Sequence, residues 1–109
     1  MPERGRSRMP ASVFAALGDE NRLRLLGRLS SGPASISGLT EGSGITRQGV
    51  TKHLRVLAGA GLVRGTRRGK ESLWRLERNR LEEARRSLDL ISRQWDVSLG
   101  KLKLFVEEQ

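Results

Sequence analysis

Residues 46–57, TRQGVTKHLRVL, constrain the fold of this 109-residue chain more than any other stretch. Wound as a helix, they place Val50, Leu54 and Leu57 on one face at spacings of four and three. The other side carries Arg47, Gln48, Thr51, Lys52 and Arg55, with His53 near the boundary. Such a helix buries one stripe and offers guanidinium, amide, hydroxyl and ammonium groups on the other, a shape and chemistry that fit a DNA major groove. Arg grips O6 and N7 of guanine, Gln grips N6 and N7 of adenine, and Thr or Lys reaches phosphates.

The residues before this stretch read as three shorter helices. Ser12 caps a first one carrying Val13, Phe14, Ala16 and Leu17, which Gly18 ends. Asp19 caps a second, with Leu23, Leu25, Leu26 and Leu29 as its apolar positions. Gly32-Pro33 breaks the chain, and Ser35 caps a third helix that buries Ile36 and Leu39. Gly42-Ser43-Gly44 is a turn, Ile45 packs just before the fourth helix, and Thr46 caps it, giving a helix over 46–60 closed by Gly61. Helix, glycine turn, helix is the layout of a helix-turn-helix. The missing side chain of Gly49 lets backbone come close to DNA or to the preceding helix.

Two strands follow, Leu62–Arg67 and Ser72–Leu76, joined through Arg68-Gly69-Lys70-Glu71. Trp74 and Leu76 share a face and are expected to pack on the helices. Arg64, Arg67, Arg68, Lys70 and Arg75 line this hairpin, so that residues 62–76 form a basic wing able to lie along phosphates or dip into a minor groove.

From Arg80 to about Val106 the pattern is one long helix. Leu81, Leu88, Trp95 and Leu102 are spaced by seven, Ala84, Ile91 and Phe105 follow three residues after members of that series, and Leu99 and Val106 widen the stripe. A helix of this length outruns the small domain before it, so its apolar seam is expected to meet a second copy of itself; the alternative is a monomer in which it folds back over the first two helices.

Charge divides along the same lines. Residues 47–80 hold ten Arg and Lys against Glu71 and Glu77, whereas residues 81–109 hold five against six acidic groups. A basic block beside a neutral one points one part of the chain at a polyanion. Residues 1–10 read as a disordered basic arm, polar, bounded by Pro2 and Pro10 and without periodicity, with Arg4-Gly5-Arg6 like the core of a minor-groove hook that lacks a following proline. The chain has no cysteine, which excludes disulfides and thiolate metal sites. Its single histidine cannot build a zinc-type site, and Asp89 and Asp96 are expected to be solvated or paired with Arg85, Arg86 or Arg93, so no metal and no cofactor is expected. Without a cysteine nucleophile, a phosphate-cradling loop or a histidine partner for a serine, no catalytic residue is assigned and an enzyme is not expected. No secretory signal and no membrane span is legible, and Arg outnumbers Lys 17 to 4, so the expectation is a cytoplasmic protein of a GC-rich bacterium.

Over residues 11–106 the chain resembles the ArsR-type winged-helix repressors. The resemblance rests on FAALGDENRLRLLGRL, on VTKHLRVLAGAGLV and on the hairpin RRGKESLWRL, in that order. It implies a mainly α (α+β) winged helix-turn-helix: five helices and a two-stranded β-wing, dimerising through the first and last helices. The organisation expected is an arm over 1–10, a DNA-binding domain over 11–79 and, in the same compact domain, a dimerisation helix over 80–109. The residues assigned to DNA are Thr46, Arg47, Gln48, Thr51, Lys52, His53 and Arg55 on the recognition helix, and Arg67, Arg68 and Lys70 in the wing. Those assigned to the dimer interface are Phe14, Leu81, Leu88, Ile91, Trp95, Leu99, Leu102 and Phe105. A tryptophan on the last helix, with no metal ligands, is similar to the metal-independent branch of the family. Gly42-Ser43-Gly44 departs from the bulkier residues relatives often carry there. The function implied is a homodimeric, sequence-specific repressor on double-stranded DNA with an inverted-repeat operator, released by an effector the sequence does not identify. The alternative is an architectural DNA binder without sequence preference.

Overall fold

A computed structural model describes residues 11–107, so the arm over residues 1–10 lies outside the described residues. The elements in chain order are α1 (Ala11–Leu17), α2 (Glu20–Leu29), β1 (Ala34–Ser35), α3 (Ile36–Thr40), α4 (Arg47–Gly59), β2 (Val63–Arg68), β3 (Glu71–Leu76) and α5 (Arg78–Glu107). The expected winged helix-turn-helix is present, with five helices among the described residues.

The caps explain most boundaries. Asp19 accepts hydrogen bonds from the backbone N–H groups of Asn21 (2.8 Å) and Arg22 (3.0 Å), which starts α2. Ser35 accepts from Gly38 N–H at 3.1 Å to start α3, and Thr46 accepts from Gly49 N–H at 3.0 Å to start α4. At the far end of α4 the N–H of Leu62 reaches the Leu57 carbonyl (2.9 Å) and that of Gly61 reaches Ala58 (2.9 Å). With Gly61 at φ +80° this is a Schellman closure. Ser12 does not cap α1, because it already lies within that helix.

One core joins α1, α2, α3, α4 and the start of the wing hairpin. Val13 of α1, Leu25 and Leu29 of α2, Leu39 of α3, Val50, Leu54 and Leu57 of α4, and Leu62 are all buried to 2% exposure or less. Leu23 is not part of it, being 51% exposed. On the α2 wheel Leu25, Leu26 and Leu29 occupy one arc, Leu23 falls outside it, and Arg22 falls inside. Arg22 fills that place by covering the core with its stem and donating to the carbonyls of Ala16 (2.7 Å) and Ala15 (3.3 Å) at the end of α1. Ile36, expected to be buried, is half-exposed.

The sheet holds one strand more than the sequence reading allowed. β3 is central, with the antiparallel order β1-β3-β2. Ala34 pairs with Trp74 and Ser35 with Leu73, while the wing hairpin pairs Val63 with Leu76 through to Arg68 with Glu71. A two-residue strand carries no periodicity, so it left no sequence signal. The Trp74 ring lies over Gly65, its cross-strand partner, so closely that a β-carbon there would sit 3.1 Å from three ring atoms.

Residues 11–81 form one compact unit and α5 from Glu82 onward a second. Within α5, Arg85 pairs with Glu82 (2.8 Å) and Asp89 (3.4 Å), which is the pairing expected for Asp89. Among the described residues, every exposed large hydrophobic except Leu23 and Val56 is on α5. They include Leu88, Ile91, Trp95, Leu99, Leu102 and Phe105 of the seam. Leu90, Val97 and Leu104 form a second seven-residue series on roughly the opposite side of the helix, also exposed, which the sequence reading overlooked.

Candidate nucleic-acid interface

α4 presents its polar face to solvent because Val50, Leu54 and Leu57 fix its other side in the core. Arg47, Gln48, Lys52 and Arg55 are exposed, and with half-exposed Thr51 they border one open concavity of about 480 Å³. These are five of the seven helix residues assigned to DNA from sequence, brought together on one surface. Thr51 bonds its hydroxyl back to the Arg47 carbonyl at 3.0 Å, as helical threonines do, which leaves its methyl and a lone pair outward.

The other two stand apart. Thr46 is exposed, but its hydroxyl accepts the Gly49 N–H as the helix cap. His53 is half-buried, with Nδ1 3.5 Å from Nη1 of Arg22 on α2, so its ring is directed toward the first helix pair and away from the concavity.

The wing contributes Arg67, Arg68 and Lys70, all exposed at its tip. Gly69 takes φ +62° to close the turn, and Arg67 Nε donates to its carbonyl at 3.1 Å. Arg64, another cation of the hairpin, is held by Glu77 at 2.6 Å. A second, smaller concavity of about 130 Å³ is lined by Ser37 of α3, Arg47 of α4, and Lys70, Glu71 and Ser72 of the wing. α4 and the wing tip thus border one cationic surface, with Glu71 as its acidic member.

Two residues that sequence reasoning passed over hold this surface in place. Arg28 on α2 donates to the carbonyls of Gly38 (2.7 Å), Leu39 (2.9 Å) and Glu41 (3.2 Å), closing the last turn of α3. Ser37 on α3 accepts from Arg47 Nη1 at 2.7 Å. Neither has a local sequence signal, since both act across ten residues or more. Among the described residues no group of three or more His, Asp or Glu is placed to hold a metal ion.

The chain is similar in sequence and fold to known proteins. A family model for a helix-turn-helix domain matches residues 17–66. The HTH-type transcriptional regulator Rv2034 of Mycobacterium tuberculosis is 32% identical over 82 residues, covering 75% of this chain and 77% of Rv2034. The solved structure of an ArsR-like transcriptional regulator from Rhodococcus sp. RHA1 superposes with a TM-score of 0.73 at 37% identity, covering 87% of this chain and 90% of that one. The chain belongs to the ArsR-like transcriptional regulators. The HTH-type transcriptional regulator NmtR of Mycobacterium tuberculosis is 38% identical over 66 residues, covering 61% of this chain and 55% of NmtR. The match thus spans about half the length of that relative. Membership in a family of regulators agrees with the expectation that the chain is not an enzyme.

Proposed function

We propose that this ArsR-like regulator is a homodimeric, sequence-specific repressor. Its α4 enters the major groove, and its wing rests on the backbone or the minor groove. The observation that carries the reading is the convergence of Arg47, Gln48, Thr51, Lys52 and Arg55 on one open surface beside the cationic wing tip. Arg47 and Gln48, in the first turn of α4, are positioned to read base edges, and Lys52, Arg55, Arg67, Arg68 and Lys70 to hold phosphates. Phosphate binding alone needs neither an amide nor a hydroxyl, so Gln48 and Thr51 favour specific readout over a purely architectural role. His53 serves as a boundary residue against Arg22, and Thr46 as the cap.

The dimer is supported by α5, whose seam of Leu88, Ile91, Trp95, Leu99, Leu102 and Phe105 is 44–62% exposed in the single chain. An exposed apolar stripe of this length in a folded protein calls for a partner. A heptad spacing matches another helix, and the family resemblance makes that helix a second copy. Release without a metal is supported by the absence of cysteine and the single histidine.

Selection of random duplex DNA by the purified protein at about 150 mM salt, where exposed charges are screened beyond roughly 8 Å, tests the reading. Enrichment of an inverted repeat with half-sites about 34–36 Å apart is the expected result. Retention of DNA with no enrichment would instead establish an architectural binder.

A further inference from the structure

We infer that Ser37 is a specificity-determining residue of this regulator, a positioning residue that fixes the guanidinium of Arg47 for one base. The inference rests on the reading of Arg47 as a base-reading group. Arg47 is the first residue of α4, and its Nη1 donates to Ser37 Oγ across the turn at 2.7 Å. Both side chains are exposed, so the bond forms where DNA would be met rather than within the core.

Ser37 is held on a rigid mount. Its helix, α3, is only five residues long and would fray alone. It is clamped at both ends instead. At its start Ser35 caps it and pairs with Leu73 of the wing sheet, and at its end Arg28 grips three carbonyls. The Ser37 hydroxyl is therefore fixed relative to both the wing and α2, and it passes that fixed position to Arg47.

The chemistry follows from the donor inventory. A guanidinium has five N–H donors, and a hydroxyl accepts through lone pairs while keeping one O–H to give. One Arg47 donor is used on Ser37, and enough remain for the paired acceptors O6 and N7 of guanine. An arginine at the first turn of a helix otherwise samples many rotamers, and selecting one of them for a base contact costs side-chain entropy on binding. Holding it before binding lowers the ordering cost of the base contact but leaves phosphate contacts elsewhere untouched. Ser37 thus acts on discrimination between sequences more than on overall affinity.

The test measures binding of the full-length protein to its selected site and to the same site with each base pair changed in turn. Arg47→Ala should erase preference at one base pair, a loss of about 5- to 150-fold in discrimination. Ser37→Ala should reduce preference at that same base pair by roughly 2- to 10-fold, the worth of one hydrogen bond, and should lower that preference more than it lowers random-sequence affinity. Ser37→Thr keeps the hydroxyl and should restore the preference. In the Arg47→Ala background, Ser37→Ala should have no further effect. If Arg47→Ala leaves every preference intact, the base-reading role of Arg47 fails. If Arg47→Ala removes a preference that Ser37→Ala leaves whole, Arg47 reads a base without help from Ser37 and this inference fails. A Ser37→Ala variant that weakens all sequences equally, and still does so without Arg47, would make Ser37 a direct phosphate contact and overturn it as well.

Discussion

A β-carbon added to Gly49 would lie 2.6 Å from Cγ2 of Ile45 and 3.2 Å from Oγ1 of Thr46. Glycine is required here by close approach, because the turn packs a β-branched side chain against the first turn of α4. Gly49→Ala should therefore destabilise the fold by about 1–3 kcal/mol, the usual cost of overpacking, despite the better helix propensity of alanine. Ile45→Ala in the same chain should recover part of the loss. Urea unfolding of the two single variants and the double variant checks the coupling.

How this site was legible in sequence follows from the same pair. The spacing of Val50, Leu54 and Leu57 located the buried face of α4, and Thr46 and Gly61 located its ends, because these are local signals. That Gly49 admits a close approach was also legible. That the neighbour is Ile45, rather than DNA or the preceding helix, depends on the path of the Gly42-Ser43-Gly44 turn, in which both glycines take positive φ. The same limit hid β1, Arg28 and Ser37, which gain their roles only from residues distant in sequence. It also misassigned Leu23, since composition alone does not say that Arg22 would take the inner position on α2. His53 sits at a boundary that periodicity marks but does not resolve.

Asp19 supplies a pH dependence whose sign can be worked out. The hydrogen bond from the Arg22 backbone N–H, with smaller help from the Arg22 charge and the Asn21 N–H, holds its carboxyl below the ordinary carboxylate range. A depressed folded-state value means the cap stabilises the fold above the ordinary pKa, about 3.9, and that this contribution is lost as pH falls through the folded value. Asp19→Asn keeps a side-chain acceptor at the cap but cannot titrate. Its stability should be close to that of the parent at acid pH and lower at neutral pH. Thermal unfolding followed downward from pH 7 makes the comparison, with the gap between the two proteins narrowing as the Asp19 carboxyl protonates.

Arg28 should be irreplaceable by lysine. Its fork reaches three carbonyls at once, with Nη2 on Gly38 and Nη1 shared between Leu39 and Glu41. A lysine ammonium is a single point donor on a flexible stem and cannot reproduce that spread. Arg28→Ala should cost about 1–2 kcal/mol, near the lower range for bonds to a charged group because two of the three are solvent-exposed. Arg28→Lys should recover less than half of it. Chemical denaturation of both variants reads the difference.

The exposed stripe on α5 makes the assembly state sensitive to one residue. Trp95 is 62% exposed in the single chain, so charge there costs the isolated fold little. Trp95→Glu should weaken self-association at least about tenfold, since a carboxylate would have to be buried in the seam on pairing. Sedimentation equilibrium is expected to show a dimer for the parent and a monomer for the variant at the same concentration. A dimer retained in the variant would place the interface elsewhere on the chain.

The wing should behave differently from α4 in salt. Arg68 is exposed at the wing tip and pairs across the turn with Glu71 in strand register, and its proposed role is a contact to the DNA backbone. A phosphate contact releases counterions and carries no sequence information. Arg68→Ala should therefore weaken specific and random DNA alike. It should also flatten the plot of log affinity against log salt by about 0.9 for each phosphate that the variant leaves unneutralised. Arg47→Ala should change the base preference and leave that slope nearly intact. Fluorescence anisotropy titrations of both variants across a salt series separate the two roles, and an unchanged slope for Arg68→Ala would remove the wing tip from the DNA backbone.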